Sequence, residues 1–341
     1  MNRDLITYLK AQSQFTPIPE LEAKLGLERD QVFTDVETLI EEGYSVEFHP
    51  YLGMKLIDIP DRLLKHEIRD DLNTKHVGRK LRIFDQVTST NETAWEQYEA
   101  DPDLRDGTVV LAESQTRGRG RMGREWHSTP KAGLWLSVIL KCNVPPDKVA
   151  FLTSGAALAV ANMLQQFIHL PAEVKWPNDV MIRGRKVCGI LVEARSTHPN
   201  VYVLGIGLNV NQSRSDFPES LRETATSLRL ERPGARSLNR VRVLRPLLFY
   251  LERVYTQIRK KKWDRIANAW SEFVHMGGKF VRLQQGGEEF RGTVVKIHPS
   301  DGITLKLAGT EDQKTFSSES VTGVREISQE VPDSEPEEVQ S

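Results

Sequence analysis

The sequence predicts a multidomain α+β protein with an N-terminal winged helix-turn-helix, a central mixed α/β domain and a small C-terminal β domain. Three observations predict it. Helical periodicity in the first 42 residues gives way to two short strand patterns. Strand-like and helix-like runs then alternate from about residue 65 to 275. After Gly277-Gly278 only short strands with turn signals remain. A chain of 341 residues suits two or three domains, with ample core.

Residues 1–60 carry the first pattern. Leu5, Ile6 and Leu9 share a helical face, a short helix follows around Pro19–Leu25, and Gly26 makes the turn. Asp30–Glu42 continues with Val32, Phe33, Val36, Leu39 and Ile40 at helical spacing, and Gly43 stops it. YSVEF and MKLIDI can pair across a turn near Gly53, so three helices and a two-stranded wing complete the winged pattern.

Residues 65–275 alternate strands (TVVLAE, LWLSVIL, VYVLGIGLNV) with helices near Asn91–Glu99 and Val149–Phe167. A long helical region, Asn239–Val274, closes this part, with Pro246 marking a kink or a late start. Residues 277–325 read as KFVRL, FRGTVVKI, ITLKL and KTFSS, separated by QGG, PSDG and AGTED, a small barrel or sandwich. The acidic tail, residues 326–341, lacks apolar content, and disorder is expected there.

Charge is segregated beneath a net of −1. Residues 1–60 hold 5 Lys/Arg against 11 Asp/Glu, and the tail has 6 acidic residues and no basic one, leaving +11 on the middle. An anionic ligand is therefore expected in the middle. Cys142 and Cys188 are too few for a disulfide framework or a cysteine-rich metal site. MNRDLITYLK has no apolar signal core and no apolar run approaches membrane-spanning length, so a cytoplasmic protein with reduced thiols is expected.

Within that middle, RGRGRMGREW (Arg117–Trp126) packs four arginines and three glycines into ten residues. Gly118, Gly120 and Gly123 spell a dinucleotide-binding fingerprint, but the fingerprint needs a following helix and an acidic residue about 20 positions on. Here a loop and the strand LWLSVIL follow, and residues 136–143 contain neither Asp nor Glu. No Gly-Lys-Ser/Thr follows at P-loop spacing, and a single occurrence between two strands is unlike a repeated RNA-binding tract. An anion-binding loop remains, with glycines freeing backbone N–H groups and arginines supplying forked donors. A merely solvated basic loop is the plain alternative. Without ligand, repulsion among the arginines should keep such a loop mobile.

Other stretches add to it. KWPND (Lys175–Asp179) sets an amide and a carboxylate at a strand end. RKVCGILVE carries Lys186 and then Gly189, where a missing side chain marks close approach of a ligand. GIGLNVN (Gly205–Asn211) is another glycine-marked strand ending in amides, and VTSTNETAW contains the capping box Ser89-x-x-Glu92.

VTSTN, ESQTRGRGRMGREW, KWPNDV, RKVCGILVE and GIGLNVN, in this order, resemble the biotin–protein ligases. With the N-terminal winged helix, the resemblance is to the branch that joins ligase and biotin-operon repressor. It implies a central domain similar to class II aminoacyl-tRNA synthetases and an SH3-like C-terminal β-barrel. It also implies that Ser89, Thr90, Asn91 and Gln115 surround the biotin rings. Arg119, Gly120, Arg121 and Lys186 would surround its carboxylate and the activated phosphate, with Lys186, Arg121 and Arg119 catalytic. Trp126 would stack adenine, and Arg121, Arg124, Asn178 and Asn209 would contact the nucleotide. Asp179 would bind Mg²⁺ brought with ATP. A carboxyl-carrier protein is the implied acceptor and a homodimer the implied assembly.

A DNA operator is a further implied partner, which Gln31 and Thr34 could read. The third helix, however, carries Glu28, Asp30, Asp35, Glu37, Glu41 and Glu42 against Arg29 alone, and that charge opposes phosphates. A lipoate–protein ligase and a biotin-sensing repressor with little catalysis remain alternatives.

Overall fold

A computed structural model describes residues 3–328; residues 329–341, most of the acidic tail, lie outside the described residues. Residues 3–64 with Asn239–Val243 form one compact unit, and Lys65–Leu238 with the residues from Leu244 onward form the other.

The first unit has three helices, α1 (Arg3–Ala11), α2 (Ile18–Leu25) and α3 (Arg29–Glu41), then an antiparallel hairpin of β1 (Ser45–His49) and β2 (Gly53–Asp58). Pro19 lies in the first turn of α2, where a missing N–H costs nothing, and Gly26 ends that helix in the left-handed conformation, donating its N–H to Glu22 O. Leu5, Leu9, Leu21, Val32 and Leu39 fill the core. Ile40 is 51% exposed, and Phe33 packs edge-on against the exposed Phe48. Gly53 has φ +95°, and a Cβ there would come within 1.9 Å of Thr16 O, so only glycine fits where the hairpin meets that backbone.

The second unit holds a seven-stranded sheet. Its strands are β3 (Leu81–Val87), β4 (Thr108–Gln115), β5 (Gly133–Lys141), β6 (Ala172–Lys175), β7 (Asp179–Ile182), β8 (Arg185–Ala194) and β9 (Val201–Asn209), in spatial order β3-β4-β5-β9-β8-β7-β6. Only β3 and β4 are parallel, and the helix between them, α5 (Thr90–Ala100), makes the crossover. Trp95 of α5 packs with Val110, Ile139 and Val203 of three strands. The short helices α4 (Lys65–Arg69) and α7 (Leu228–Glu231) flank the main elements in sequence.

The helix α6 (Ala150–Met163) is almost wholly buried. Contrary to the sequence expectation, Pro146–Ile168 is long and apolar enough by composition to cross a membrane; 67% of that apolar window is buried inside the protein. The long helical region divides into α8 (Arg240–Arg259) and α9 (Trp263–Ser271). It does not start late: α8 begins at Arg240 and runs through Pro246, which lies within its first two turns, where only one internal hydrogen bond is forfeited.

After α9 the chain forms β10 (Phe280–Gln285), β11 (Glu288–His298), β12 (Gly302–Leu307), β13 (Gln313–Phe316) and β14 (Val321–Glu326), a five-stranded antiparallel sheet in the order β13-β12-β11-β10-β14. The fifth strand, VTGVRE, is one more than the four strand patterns, and it takes Glu326 from the segment assigned to the tail.

Candidate active site

Two glycine-marked rungs organise the site. Gly205 of β9 pairs with Ser137 of β5 and Leu191 of β8; the rung two residues on joins Gly207 to Trp135 and Gly189. Alternate residues of a strand share a face, so Gly205, Gly207 and Asn209 point the same way, successive ones about 7 Å apart.

Asn91 of α5 lies over the first rung. Its Oδ1 accepts from Ser137 Oγ at 2.7 Å, its Nδ2 reaches Leu191 O at 3.4 Å, and a Cβ on Gly205 would come within 2.3 Å of that Oδ1. Beside it, Gln115 Oε1 accepts from Thr90 N at 2.8 Å and Thr90 Oγ1 at 3.2 Å, while its Nε2 donates to Ser128 Oγ at 2.8 Å. Ser89, Thr90 and Asn91 are buried, and none of these groups is charged. The capping box does not form. Ser89 is the N-cap residue, yet its side chain makes no cap bond, and the Glu92 carboxylate accepts from Thr88 Oγ1 at 2.6 Å.

Trp126 lies over the second rung. Cβ atoms on Gly207 and Gly189 would fall 2.5 and 2.7 Å from its ring, so the indole occupies the space those glycines leave. The expectation at Gly189 was a ligand; an aromatic side chain folded back from the arginine stretch makes the close approach instead. Lys186 Nζ lies 5.2 Å from the centre of this ring, a cation–π distance, and 2.7 Å from Asp179 Oδ1.

The arginine stretch is a closed hairpin rather than an open loop. Trp126 N donates to Gly118 O at 2.8 Å and Gly120 N to Arg124 O at 2.7 Å, with Met122 and Gly123 turning the chain at positive φ. In this closed hairpin each of three arginines has its own partner. Arg119 pairs with Glu193 at 3.3 Å, Arg121 reaches Asn178 Oδ1 at 3.4 Å and the carbonyls of Ser318 and Val321, and Arg124 donates to Thr322 O at 2.6 Å. Burial pulls the Arg121 guanidinium below its ordinary pKa, against the raising influence of Asp179.

Asn178 donates to Ile190 O at 2.9 Å, which fixes its amide beside Arg121. Asn209 belongs to the wall. Its Nδ2 donates to Thr226 O at 3.0 Å and its Oδ1 accepts from Gln212 Nε2 at 3.1 Å, so both ends of the amide are engaged. Thr226 N in turn donates to Lys186 O, linking the two residues. Gln31 and Thr34 are exposed on α3 but turn inward to their own helix, Gln31 to Asp35 Oδ1 and Thr34 to Asp30 O. Sequence reasoning missed Ser128, Ser137, Glu193 and Thr226. Ser137 alone left a signal, a hydroxyl within the apolar run LWLSVIL.

Asp179 is a single carboxylate already holding a lysine, and among the described residues no group of three His, Cys, Asp or Glu side chains could hold a metal ion. This donor set fits a hard cation arriving on phosphates, which needs one or two carboxylates, and does not fit a dedicated metal cage.

This sheet face sets an uncharged polar corner beside a cationic flank, and the comparisons with known proteins place the chain in a family. The biotin/lipoate A/B protein ligase family model matches residues 83–211. The chain is 33% identical to the bifunctional ligase/repressor BirA of Bacillus subtilis (strain 168) over 322 residues, 94% of this chain and 98% of that protein. It is 36% identical to the biotin--[acetyl-CoA-carboxylase] ligase of Mycobacterium tuberculosis over 251 residues, 72% of this chain and 90% of that one. Biotin protein ligase from Aquifex aeolicus, solved in complex with biotin and ATP, is similar at a TM-score of 0.59 and 26% identity, over 73% of this chain and 100% of that chain. The chain belongs to the biotin/lipoate A/B protein ligase family.

Proposed function

We propose that the chain activates biotin with ATP to biotinyl-5′-AMP and pyrophosphate, then transfers biotin to a lysine of a carboxyl-carrier protein such as that of acetyl-CoA carboxylase. One observation carries this reading. An uncharged polar corner, Thr90, Asn91 and Gln115, and a cationic flank, Lys186 with the arginine hairpin, adjoin neighbouring rungs of one sheet face. That gradient suits a molecule with a neutral ureido ring at one end and a carboxylate, then phosphates, at the other.

The chemistry follows from charge. Biotin's carboxylate is ionised at neutral pH, so it attacks the α-phosphorus without a general base and pyrophosphate leaves. Catalysis is then positioning with cationic stabilisation of phosphoryl oxygens, the roles of Lys186, Arg119 and Arg121, with Gly120 giving close backbone approach. Trp126, one side of its ring on Gly189 and Gly207, offers the other to adenine, flanked by Arg124 and Asn178. Asn209 supports the nucleotide wall through Thr226 and Gln212. Asp179 would help hold a Mg²⁺ arriving with the phosphates, and that ion would supply further charge neutralisation. In the second step the acceptor amine attacks the mixed anhydride and AMP leaves, while the closed hairpin excludes water.

Pyrophosphate release with ATP and biotin, followed by transfer of labelled biotin to a purified carrier domain, tests the reading. Release driven by lipoate but not biotin would replace it with lipoate ligation. No release with either would revive a sensing repressor with little catalysis.

The similarity to a ligase/repressor across 94% of the chain favours a second, regulatory role. In that reading residues 1–60 are a winged helix-turn-helix that presents Gln31 and Thr34 to an operator. Residues 65–275 are the catalytic domain, similar to class II aminoacyl-tRNA synthetases, residues 277–325 an SH3-like barrel, and the working species a cytoplasmic homodimer. Fluorescence anisotropy on duplexes from the protein's own biotin-gene promoters, with and without biotin plus ATP, tests it. Promoter-selective binding strengthened by the ligands supports repression; none under any condition removes it.

A further inference from the structure

The turn joining β13 to β14 meets the arginine hairpin. Arg121 Nη2 donates to Ser318 O and to Val321 O, the latter at 3.3 Å, and Arg124 Nη2 donates to Thr322 O at 2.6 Å. These acceptors are backbone carbonyls. A backbone carbonyl aims a guanidinium without removing its charge, while the carboxylates of Glu319 in the same turn and of Asp179 act on Arg121 from further away. Arg121 spans the gap, because its other terminal nitrogen reaches Asn178 at 3.4 Å.

The turn itself is braced. Ser320 Oγ accepts from Gln285 Nε2 at 2.6 Å and donates to Ser317 O at 3.1 Å, and Ser320 N donates to Ser317 O at 3.3 Å. Thr322 Oγ1 donates to Gln284 O at 3.2 Å. The β10–β14 register shifts between Gln284 and Gln285, an irregularity of the kind that re-aims a side chain. The mixed anhydride formed in the first step must survive until an acceptor lysine arrives. Whatever holds the hairpin down therefore sets how long the intermediate is retained.

We propose that the 317–322 segment of the C-terminal sheet is a receiver that keeps the arginine hairpin closed over the activated intermediate, with Ser320 and Gln285 as its positioning residues. The inference rests on the ligase reading above. Neither residue touches biotin or ATP in that reading, so their loss leaves adenylate synthesis in place and hastens escape of its product.

The test uses the full chain loaded with biotin and ATP. The dissociation rate of preformed labelled adenylate is measured by a chase, beside pyrophosphate release and thermal melting. Ser320→Ala and Gln285→Ala should each raise the dissociation rate about 3- to 10-fold, the scale of one hydrogen bond, with pyrophosphate release within about 2-fold of wild type. Ser320→Thr, which keeps the hydroxyl, should restore slow release. Arg124→Ala should also speed release, and adding Ser320→Ala to it should bring less than the product of the two effects, because both loosen the same seam between hairpin and turn. Unchanged dissociation in folded Ser320→Ala and Gln285→Ala, or fully additive effects with Arg124→Ala, would overturn the proposal while the wild type still forms adenylate. A wild-type chain that forms none would overturn the ligase reading, and this inference with it.

Discussion

Lys186 Nζ lies 2.7 Å from Asp179 Oδ1. The cation assigned to the phosphoryl oxygens is thus paired before any ligand arrives, and ATP must exchange one anionic partner for another. Lys186→Ala should lower adenylate synthesis about 10²- to 10³-fold, the cost of removing one electrostatic stabiliser. The side chain is two-thirds buried and its loss leaves Asp179 unpaired, so melting temperature should fall modestly with the fold intact. Pyrophosphate release and thermal denaturation check this, and normal turnover removes Lys186 from the mechanism.

The same pair gives a prediction for Asp179. Asp179→Asn keeps the shape and frees the lysine, so its effect separates holding Lys186 from holding Mg²⁺. As a Mg²⁺ ligand, its loss should raise the Mg²⁺ concentration needed for half-maximal rate about 10-fold. An unchanged Mg²⁺ titration would leave Asp179 only as the lysine's partner.

At Gly207, a methyl group would fall 2.5 Å from Trp126 Nε1 and Cε2. Gly207→Ala should push the indole off the sheet and cost about 1–3 kcal/mol as overpacking. KM for ATP should rise about 10-fold, with KM for biotin less affected, and tryptophan emission should shift. Equal change in both KM values would argue that Trp126 does not stack adenine.

Arg121→Gly removes the guanidinium that joins the hairpin to Asn178 and the C-terminal turn. We expect the adenylate to escape and bystander lysines to be labelled, at least about 10-fold above wild type, the scale of a lost charged hydrogen bond. Labelling of an unrelated protein in the same reaction reads this directly. Preserved target selectivity would speak against retention by Arg121.

For DNA, residues 1–60 offer five basic side chains. Since each neutralised phosphate contributes about −0.9 to the slope of log K against log salt, binding through residues 1–60 alone should be no steeper than about −4.5 per protomer. A steeper slope would place phosphate contacts elsewhere on the chain.

Much of this architecture was legible because its signals are local. Leu5, Leu9, Val32 and Leu39 repeat at helical spacing, Gly26 and Gly43 stop helices, and short apolar runs alternate with turns, so the order of elements follows from neighbours in sequence. Composition also located the excess of positive charge and the arginine–glycine stretch. Missed features depend on partners far away. VTGVRE becomes a strand by pairing with β10, and the Glu92 carboxylate is engaged by Thr88 rather than by Ser89.

The sequence by itself determined most of the elements, the family resemblance and the presence of glycines where something comes close. Only the tertiary structure decided what comes close. Register sets Gly189 opposite Gly207, and the hairpin fold brings Trp126 onto both. It also decided where the arginines go: the carbonyls that hold Arg121 and Arg124 lie about 200 residues along the chain. A periodic pattern reports which face of an element is apolar, because that depends on the element alone. The partner across a sheet or a turn depends on how all the elements pack, so those pairings belong to the fold.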